Sequence, residues 1–305
     1  MNSSISTQTK LPNFLIIGVQ KAGTSSIYHY LKQHPQVYMS SVKETNFFER
    51  DWENADAEAC NRKKNEIYTF AQYSQLFENV TNEIAIGEAS PNYLFHYESS
   101  ASLIQKHLPD VKLIAILRNP IERAYSDYLM HVRDSIGKPK PFAEHIQKAK
   151  TSYTIRKGLY YDALKHYIDK FGRDRVRVYL YEDLGRDSVQ FMQEIYRFLG
   201  VDETFNTDTS QKSQVAQVPK NQAVNRLLRT DNPLRSMAAS ALKAILPPEA
   251  RQNLRSALMN LNAQDKSTLT LSVEERKQLA TIYREDILKL QELIQRDLSS
   301  WLQSF

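Results

Sequence analysis

The sequence predicts an α/β fold, in which helices flank a parallel β-sheet, followed by a helical C-terminal part. Apolar, strand-like runs alternate with segments of helical periodicity through the first two thirds of the chain. The two clearest runs, at 14–17 and 111–117, are continuous, as in strands buried on both faces of a sheet. Because such sheets bind ligands at the carboxyl ends of their strands, the residues after each strand are the candidates for a functional site.

Each element can be justified in chain order. The first strand, Phe14–Ile17, is a run of four bulky apolar residues, and helical spacing follows it. Asn119 and Pro120 are a typical N-cap and first helical residue, and Ser272-x-x-Glu275 is a capping box that opens a long last helix. The other predicted strands are Val37–Met39, 84–90, 111–117 and 175–184. The other predicted helices are 70–79, 98–108, 120–133, 159–171 and 187–199.

Length and composition indicate one domain. The 305 residues, 41% of them hydrophobic, suffice for one large core, so we expect a tail at 1–11 and a single domain at 12–305, helical from about 221. The one cysteine, Cys60, excludes an intrachain disulfide and indicates a reducing compartment. Since the start has no apolar leader and no run approaches about 20 residues, we expect a cytoplasmic protein without a membrane span.

Charge limits the choice of ligand. The net charge of +5 fits an anionic ligand. Nucleic acid is not an expected partner, because the basic residues form no long run and no stripe interleaved with aromatic residues. The sequence contains no cluster with metal-ligand spacing, so we expect chemistry that needs no metal.

The turn between the first strand and the first helix is the first candidate site. Gly18 and Gly23 have the spacing of a Walker loop, but Thr24 follows where that loop needs Lys and then Ser or Thr. Lys21 stands two residues before the second glycine instead. Helix-start N–H groups and the positive dipole end converge at such a turn. The pattern predicts a P-loop-like phosphate cradle without a hydroxyl for Mg²⁺; a glycine turn between two core elements is the alternative.

A second candidate follows the run at 111–117. Arg118 stands where a Walker B strand would place an aspartate for magnesium, and its planar guanidinium suits a phosphate monoester. Ser126 lies about two helical turns further on, at a similar azimuth to the start of the helix. We expect the two side chains to hold one phosphate together. The alternative is an arginine that caps its own loop and a serine on a solvated helix face.

Two more stretches follow strands. Lys43 and Glu44 come after the second strand, and two phenylalanines follow them, which predicts a carboxylate made more basic by desolvation. A surface ion pair is the alternative. In GEASPNYLF, at 87–95, a Ser-Pro turn follows a strand and Tyr93 could line a pocket or simply pack in the core.

Together these stretches resemble the sulfotransferases that use 3′-phosphoadenylyl sulfate (PAPS), particularly the heparan-sulfate type and its bacterial relatives. The resemblance rests on GVQKAGTSSIYHYL, matching the 5′-phosphosulfate loop, and on LRNPIERAYSDY, matching the 3′-phosphate motif. The remaining family motifs occur in the expected order as KETNFFE, ASPNYLF, RKGLYYDAL, VRVYLYEDL and RDLSSWL. The resemblance covers about residues 12–200, with a weaker match at the C-terminus.

The resemblance implies roles for individual residues. PAPS would be the donor and leave as adenosine 3′,5′-bisphosphate, and the acceptor would be a hydroxyl or amine of a glycan, lipid or other small molecule. Glu44 would be the general base, Lys21 would contact the transferring group, and His131 is the second candidate for the base. The 5′-phosphosulfate would be held by Lys21, Ala22, Gly23, Thr24, Ser25 and Ser26. The 3′-phosphate would be held by Arg118 and Ser126, the adenine bordered by Gly158, and the basic closing loop represented by Lys212 and Lys220.

The chain also departs from the heparan-sulfate pattern. Ala89 stands where those enzymes carry a lysine before the Ser/Thr-Pro, so glycan contacts through that position are not implied. Their C-terminal disulfide cannot form with one cysteine. Two other functions fit parts of the pattern: a P-loop kinase-like phosphotransferase, which would depend on magnesium, and a non-catalytic module that binds a 3′-phosphorylated nucleotide.

Overall fold

The structure, a computed structural model, describes residues 10–52, 67–134, 139–210 and 270–303. Within these residues five strands form one sheet in the order β2-β3-β1-β4-β5, and every neighbouring pair is parallel. The strands are β1 Phe14–Gly18, β2 Val37–Met39, β3 Ala85–Ala89, β4 Lys112–Leu117 and β5 Val176–Leu180. The predicted parallel α/β sheet is therefore confirmed.

Helices connect the strands, as parallel pairing requires. They are α1 Thr24–Leu31, α2 Phe70–Gln75, α3 Tyr97–His107, α4 Pro120–Asp134, α5 Phe142–Gln147, α6 Tyr153–Arg156, α7 Tyr161–Phe171, α8 Tyr181–Arg186 and α9 Ser188–Leu199. A C-terminal helix, Val273–Ile294, and two short 3₁₀ helices, Phe47–Glu49 and Ser299–Leu302, complete the described elements.

Some elements differ from their predicted bounds. Helix α2 ends at Gln75 rather than at 79, because the N–H groups of Leu76 and Phe77 turn to the carbonyls three residues before them. The strand predicted over 175–184 ends at Leu180, and the residues after it form α8. Helices α5 and α6, of six and four residues, were not predicted because so few residues carry too little periodicity.

The central strand β1 positions the site. All five of its residues are buried, with β3 on one side and β4 on the other. Gly87 on β3 admits the Phe14 ring, since a Cβ at that position would lie 2.1 Å from Phe14 Cζ. Strand order reverses at β1, so its carboxyl end is a switch point of the kind at which open α/β sheets bind ligands.

The chain divides into two compact units. The first comprises residues 1–123, 157–213 and 283–302 and contains all five described strands, and the second comprises 124–156, 214–282 and 303–305. The single domain at 12–305 stays a prediction. Most of the predicted tail, Cys60, the start of the helical part near 221, and both Lys212 and Lys220 lie outside the described residues.

The C-terminal helix begins with the predicted capping box. Ser272 Oγ accepts from Glu275 N at 3.2 Å, and Glu275 Oε2 accepts from Ser272 N at 3.2 Å. Further along this helix, Asp286 accepts from the N–H groups of Tyr160 (2.9 Å) and Tyr161 (3.1 Å) at the start of α7. The Asp286 carboxylate thus satisfies helix-start donors that have no acceptor within α7 itself.

Asp286 should make stability depend on pH. Burial raises the pKa of its carboxyl from 3.8 to about 6. Between these values the folded protein binds more protons than the unfolded chain, so this contribution to stability rises as pH falls through about 6 towards 4. Relative to Asp286→Asn, the wild type should gain about 2–3 kcal/mol of unfolding free energy over that range. Urea denaturation of both proteins from pH 4 to 8 measures the difference in their unfolding free energies. A difference that does not change with pH would contradict the raised pKa.

Candidate active site

The turn between β1 and α1, here called the phosphate loop (residues 19–23), has the backbone of an anion cradle. Lys21 and Gly23 both adopt positive φ, at 74° and 81°. The first intrahelical hydrogen bond of α1 runs from Ile27 N to Gly23 O at 3.1 Å, and no side chain caps this helix end. The N–H groups of the first turn, which starts at Thr24, therefore have no acceptor within the helix. Their arrangement suits a phosphate or sulfate oxygen.

Arg118 at the end of β4 is joined to the phosphate loop, as the predicted topology requires. Its Nη1 donates to the carbonyl oxygen of Lys21 at 3.0 Å, and its guanidinium lies 4.9 Å from the ring centroid of Tyr181. The Tyr181 ring also covers Gly23, since a Cβ there would lie 3.1 Å from it. Tyr160 OH donates to the Arg118 carbonyl at 2.9 Å. These contacts fix a positive charge beside the cradle.

Lys157 is a cation near the loop that the sequence did not single out. Its Nζ donates to Gln20 Oε1 at 2.7 Å and to Asn92 Oδ1 at 3.1 Å, and it lies 5.7 Å from the centroid of the Phe95 ring. The lysine thereby links the phosphate loop to the segment after β3. The only sequence signal for Lys157 is its place in RKGLYYDAL, directly before Gly158.

The other predicted donor-site residues lie in different surroundings. Gly158 is buried against Tyr283, whose hydroxyl would lie 2.8 Å from a Cβ at that position, and its predicted place beside adenine stays a prediction. Ser126 and His131 lie on the part of α4 that belongs to the second unit, so their roles also stay predictions. The His131 side chain is 61% exposed, with Nδ1 4.0 Å from Asp127 Oδ2.

Glu44 follows β2 in a segment we call the Glu44 loop (residues 43–49). Its backbone has a φ of 60°, and its N–H donates to Ala89 O at 2.9 Å, which places it at the end of β3. The carboxylate is paired with Lys43 and is 41% exposed. The ion pair foreseen as the alternative is thus present, on a side chain that also remains accessible to a substrate.

The aromatic residues that follow Glu44 do not shield its carboxylate from solvent, since this side chain is 41% exposed. Phe47 and Phe48 are buried, and both rings have centroids 4.9 Å from that of Tyr73. They pack into the core instead of covering the carboxylate. Tyr93 is also fully buried, so it belongs to the core rather than to a pocket wall.

A fully buried carboxylate, Glu88, lies behind the Glu44 loop and was missed by sequence reasoning. Four hydroxyl groups donate to it, from Thr45, Tyr73, Ser90 and Tyr93. Burial raises the pKa of the Glu88 carboxyl above its usual value, and the hydroxyl donors offset only part of this increase. The available signal was an acidic residue inside an otherwise apolar strand, IAIGEA.

Within the residues that the structure describes, no group of three or more His, Cys, Asp or Glu side chains could hold a metal ion. None of the described helices combines the length and hydrophobicity needed to cross a membrane.

A five-stranded parallel sheet with a glycine-bearing loop after its central strand defines a P-loop-like α/β protein. Comparison with protein families specifies it further. The chain belongs to the sulfotransferase family, since the family model for the sulfotransferase domain matches residues 11–246.

Individual relatives agree with this assignment. A crystal structure of a sulfotransferase from Alicyclobacillus acidocaldarius has a TM-score of 0.69 and 30% identity, covering 96% of this chain and all of that one. The human heparan sulfate glucosamine 3-O-sulfotransferase 6 is 28% identical over 63% of this chain and 53% of its own length. The membrane-associated sulfotransferase kil1 of Dictyostelium discoideum is 34% identical over 39% of this chain and 22% of its own. The match thus spans about half or less of these curated relatives.

Proposed function

We propose that this protein transfers a sulfuryl group from PAPS to a hydroxyl of an acceptor molecule. The observation that carries the proposal is the hydrogen bond from Arg118 to the carbonyl of Lys21. It brings a guanidinium, an uncapped helix start and a loop lysine to the carboxyl ends of two adjacent parallel strands. Such a set of donors fits a ligand with two separate anionic groups.

In this proposal PAPS supplies the sulfuryl group, and each of the site residues has a defined role. Lys21 and the first turn of α1 bind the 5′ end and neutralise the charge that develops on the departing oxygen. Arg118, with Ser126 as its proposed partner, binds the 3′-phosphate. Glu44 accepts the proton of the acceptor hydroxyl, and its exposed carboxylate is within reach of a large substrate.

The acceptor class is proposed from the relatives. The heparan sulfate enzyme named above acts on glucosamine units, and another relative is named carbohydrate sulfotransferase 15. We therefore propose a glycan hydroxyl as the first acceptor to test. Ala89, at the position of a lysine in the heparan-sulfate pattern, leaves lipids and other small hydroxylated molecules as the alternatives.

The proposal is tested by incubating the protein with PAPS and a panel of acceptors, comprising desulfated heparan sulfate, a hydroxylated lipid and p-nitrophenol. Mass spectrometry should show the gain of one sulfuryl group on one acceptor, with release of adenosine 3′,5′-bisphosphate. The reaction should continue in excess EDTA. Transfer that requires magnesium, or phosphate transfer from ATP, would favour the kinase-like alternative. Nucleotide binding without transfer to any acceptor would favour the non-catalytic module.

Arg118→Ala should weaken binding of adenosine 3′,5′-bisphosphate about 10- to 100-fold, because charge-assisted hydrogen bonds contribute about 1.5–3 kcal/mol each. The affinity for adenosine 5′-phosphate, which lacks the 3′-phosphate, should fall by a smaller factor. Calorimetry with both nucleotides measures the two losses. Arg177→Ala removes an exposed arginine from β5 and serves as the control that should bind normally. Equal losses for both nucleotides would show that Arg118 supports only the loop.

A further inference from the structure

Glu88 is the most buried carboxylate near the site, and the proposed chemistry does not use it. It is fully buried on β3, opposite Leu15 of the central strand. Its Oε1 accepts from Thr45 Oγ1 at 2.9 Å, from Tyr93 OH at 3.1 Å and from Ser90 Oγ, and its Oε2 accepts from Tyr73 OH at 2.7 Å. A buried charge is costly unless hydrogen bonds of this kind satisfy it.

Three of the four hydroxyls also bind the Glu44 loop. Ser90 Oγ accepts from Asn46 N at 3.0 Å, Thr45 Oγ1 from Phe47 N at 3.3 Å, and Tyr93 OH from Phe48 N at 3.2 Å. Three consecutive N–H groups of the loop are therefore held by hydroxyls that bind one carboxylate.

The direction of these bonds follows from the chemistry of the groups. When Glu88 is ionised, its carboxylate can only accept, so each hydroxyl must give its single proton to Glu88. Its oxygen lone pairs are then left to accept from the loop. A neutral amide at position 88 presents either an N–H donor or one uncharged oxygen with two lone pairs to the three hydroxyls that now bind Oε1, so at least one of these loop anchors loses its acceptor.

The loop needs such external support. Glu44 and Asn46 both have positive φ, at 60° and 50°, which costs a residue other than glycine about 1–3 kcal/mol. The Glu44 N–H donates to Ala89 O, on the strand that carries Glu88. A loop that loses its anchors at 46–48 would relax towards ordinary backbone angles and move the Glu44 carboxylate.

We propose that Glu88 is a positioning residue, which orients the hydroxyls of Thr45, Ser90 and Tyr93 so that they hold the Glu44 loop in its strained, substrate-facing conformation. The effect on the loop is independent of the reaction. The effect on turnover rests on the proposed function, in which Glu44 is the base.

Two buried tyrosines give a matched pair of variants. Tyr73 and Tyr93 are both fully buried and both donate to Glu88. Of these two hydroxyls, only that of Tyr93 accepts an N–H of the loop. Tyr73→Phe therefore removes a hydrogen bond from Glu88 without removing an anchor, whereas Tyr93→Phe removes both.

Amide hydrogen exchange of the full-length protein tests the anchoring directly. In Glu88→Gln and in Tyr93→Phe, the amides of 46–48 should exchange about tenfold faster, as expected for the loss of one net hydrogen bond. In Tyr73→Phe they should exchange at nearly the wild-type rate. Unchanged exchange in Glu88→Gln, or equal acceleration in the two tyrosine variants, would overturn the proposal. If Glu88→Gln does not fold, the tyrosine pair carries the test with Thr45→Val.

Steady-state kinetics then test the link to catalysis. The donor is PAPS, and the acceptor is desulfated heparan sulfate, or p-nitrophenol if the wild type sulfates only that compound. Tyr93→Phe and Glu88→Gln should lower kcat about 100-fold, as for a misplaced catalytic group, with the KM for PAPS unchanged. Equal changes in kcat and in the KM for PAPS would indicate general loosening and would overturn a positioning role. If the wild type sulfates none of the three acceptors in the panel, the proposed function fails, while the exchange experiment still decides the role of Glu88.

Discussion

Lys21→Ala is expected to lower the rate of sulfuryl transfer about 100- to 1,000-fold, the loss seen when a group that stabilises transition-state charge is removed. Its ammonium group belongs to the loop that forms the anion cradle, whereas the bond that fixes Arg118 uses only the Lys21 carbonyl and survives the substitution. The side chain is not in the core, so no cavity forms and the melting temperature should change little. Steady-state kinetics with saturating PAPS measures the loss.

Lys32→Ala is the matched control, since it removes an exposed lysine at the other end of the same helix. It should retain wild-type turnover. A Lys21→Ala protein that turns over normally would remove the phosphate loop from the mechanism.

Glu44→Gln should lower turnover by about two to four powers of ten, the usual contribution of a general base. The amide keeps the shape of the side chain but cannot take a proton from the acceptor hydroxyl. Binding of adenosine 3′,5′-bisphosphate should be unchanged, because the assigned donor contacts lie in the phosphate loop and at Arg118. Steady-state kinetics with saturating PAPS measures the loss of turnover, and calorimetry measures the binding.

His131→Ala distinguishes between the two candidates for the general base. If this variant is inactive while Glu44→Gln remains nearly as active as the wild type, the histidine is the base. In that case Lys43 and Glu44 form only the surface ion pair seen in the structure. The support that Glu88 gives to the loop would then have no bearing on turnover.

The sequence was most informative where local patterns determine structure. Continuous apolar runs located the strands, and the capping box at Ser272 located the start of the C-terminal helix. The approach of Arg118 to the phosphate loop also followed, because the carboxyl ends of adjacent parallel strands meet at one edge.

Contacts between distant segments could not be predicted in the same way. No periodicity indicates that Lys157 reaches Gln20, 137 positions away, or that Tyr181 covers Gly23. Glu88 was overlooked because its three anchoring hydroxyls come from two separate segments and look ordinary in isolation. The aromatic residues after Glu44 were misjudged for a related reason, since their partner Tyr73 lies on a helix with no sequence link to them.

The cap that Asp286 places on α7 has a consequence for the order in which the chain is made. Tyr160, whose N–H it binds, also holds the carbonyl of Arg118, and Gly158 packs on Tyr283 of the same late helix. Since synthesis proceeds from the N-terminus, the sheet and the phosphate loop emerge from the ribosome well before residues 283–286. The nascent chain therefore cannot complete the support behind Arg118 until this last helix has been translated and has docked.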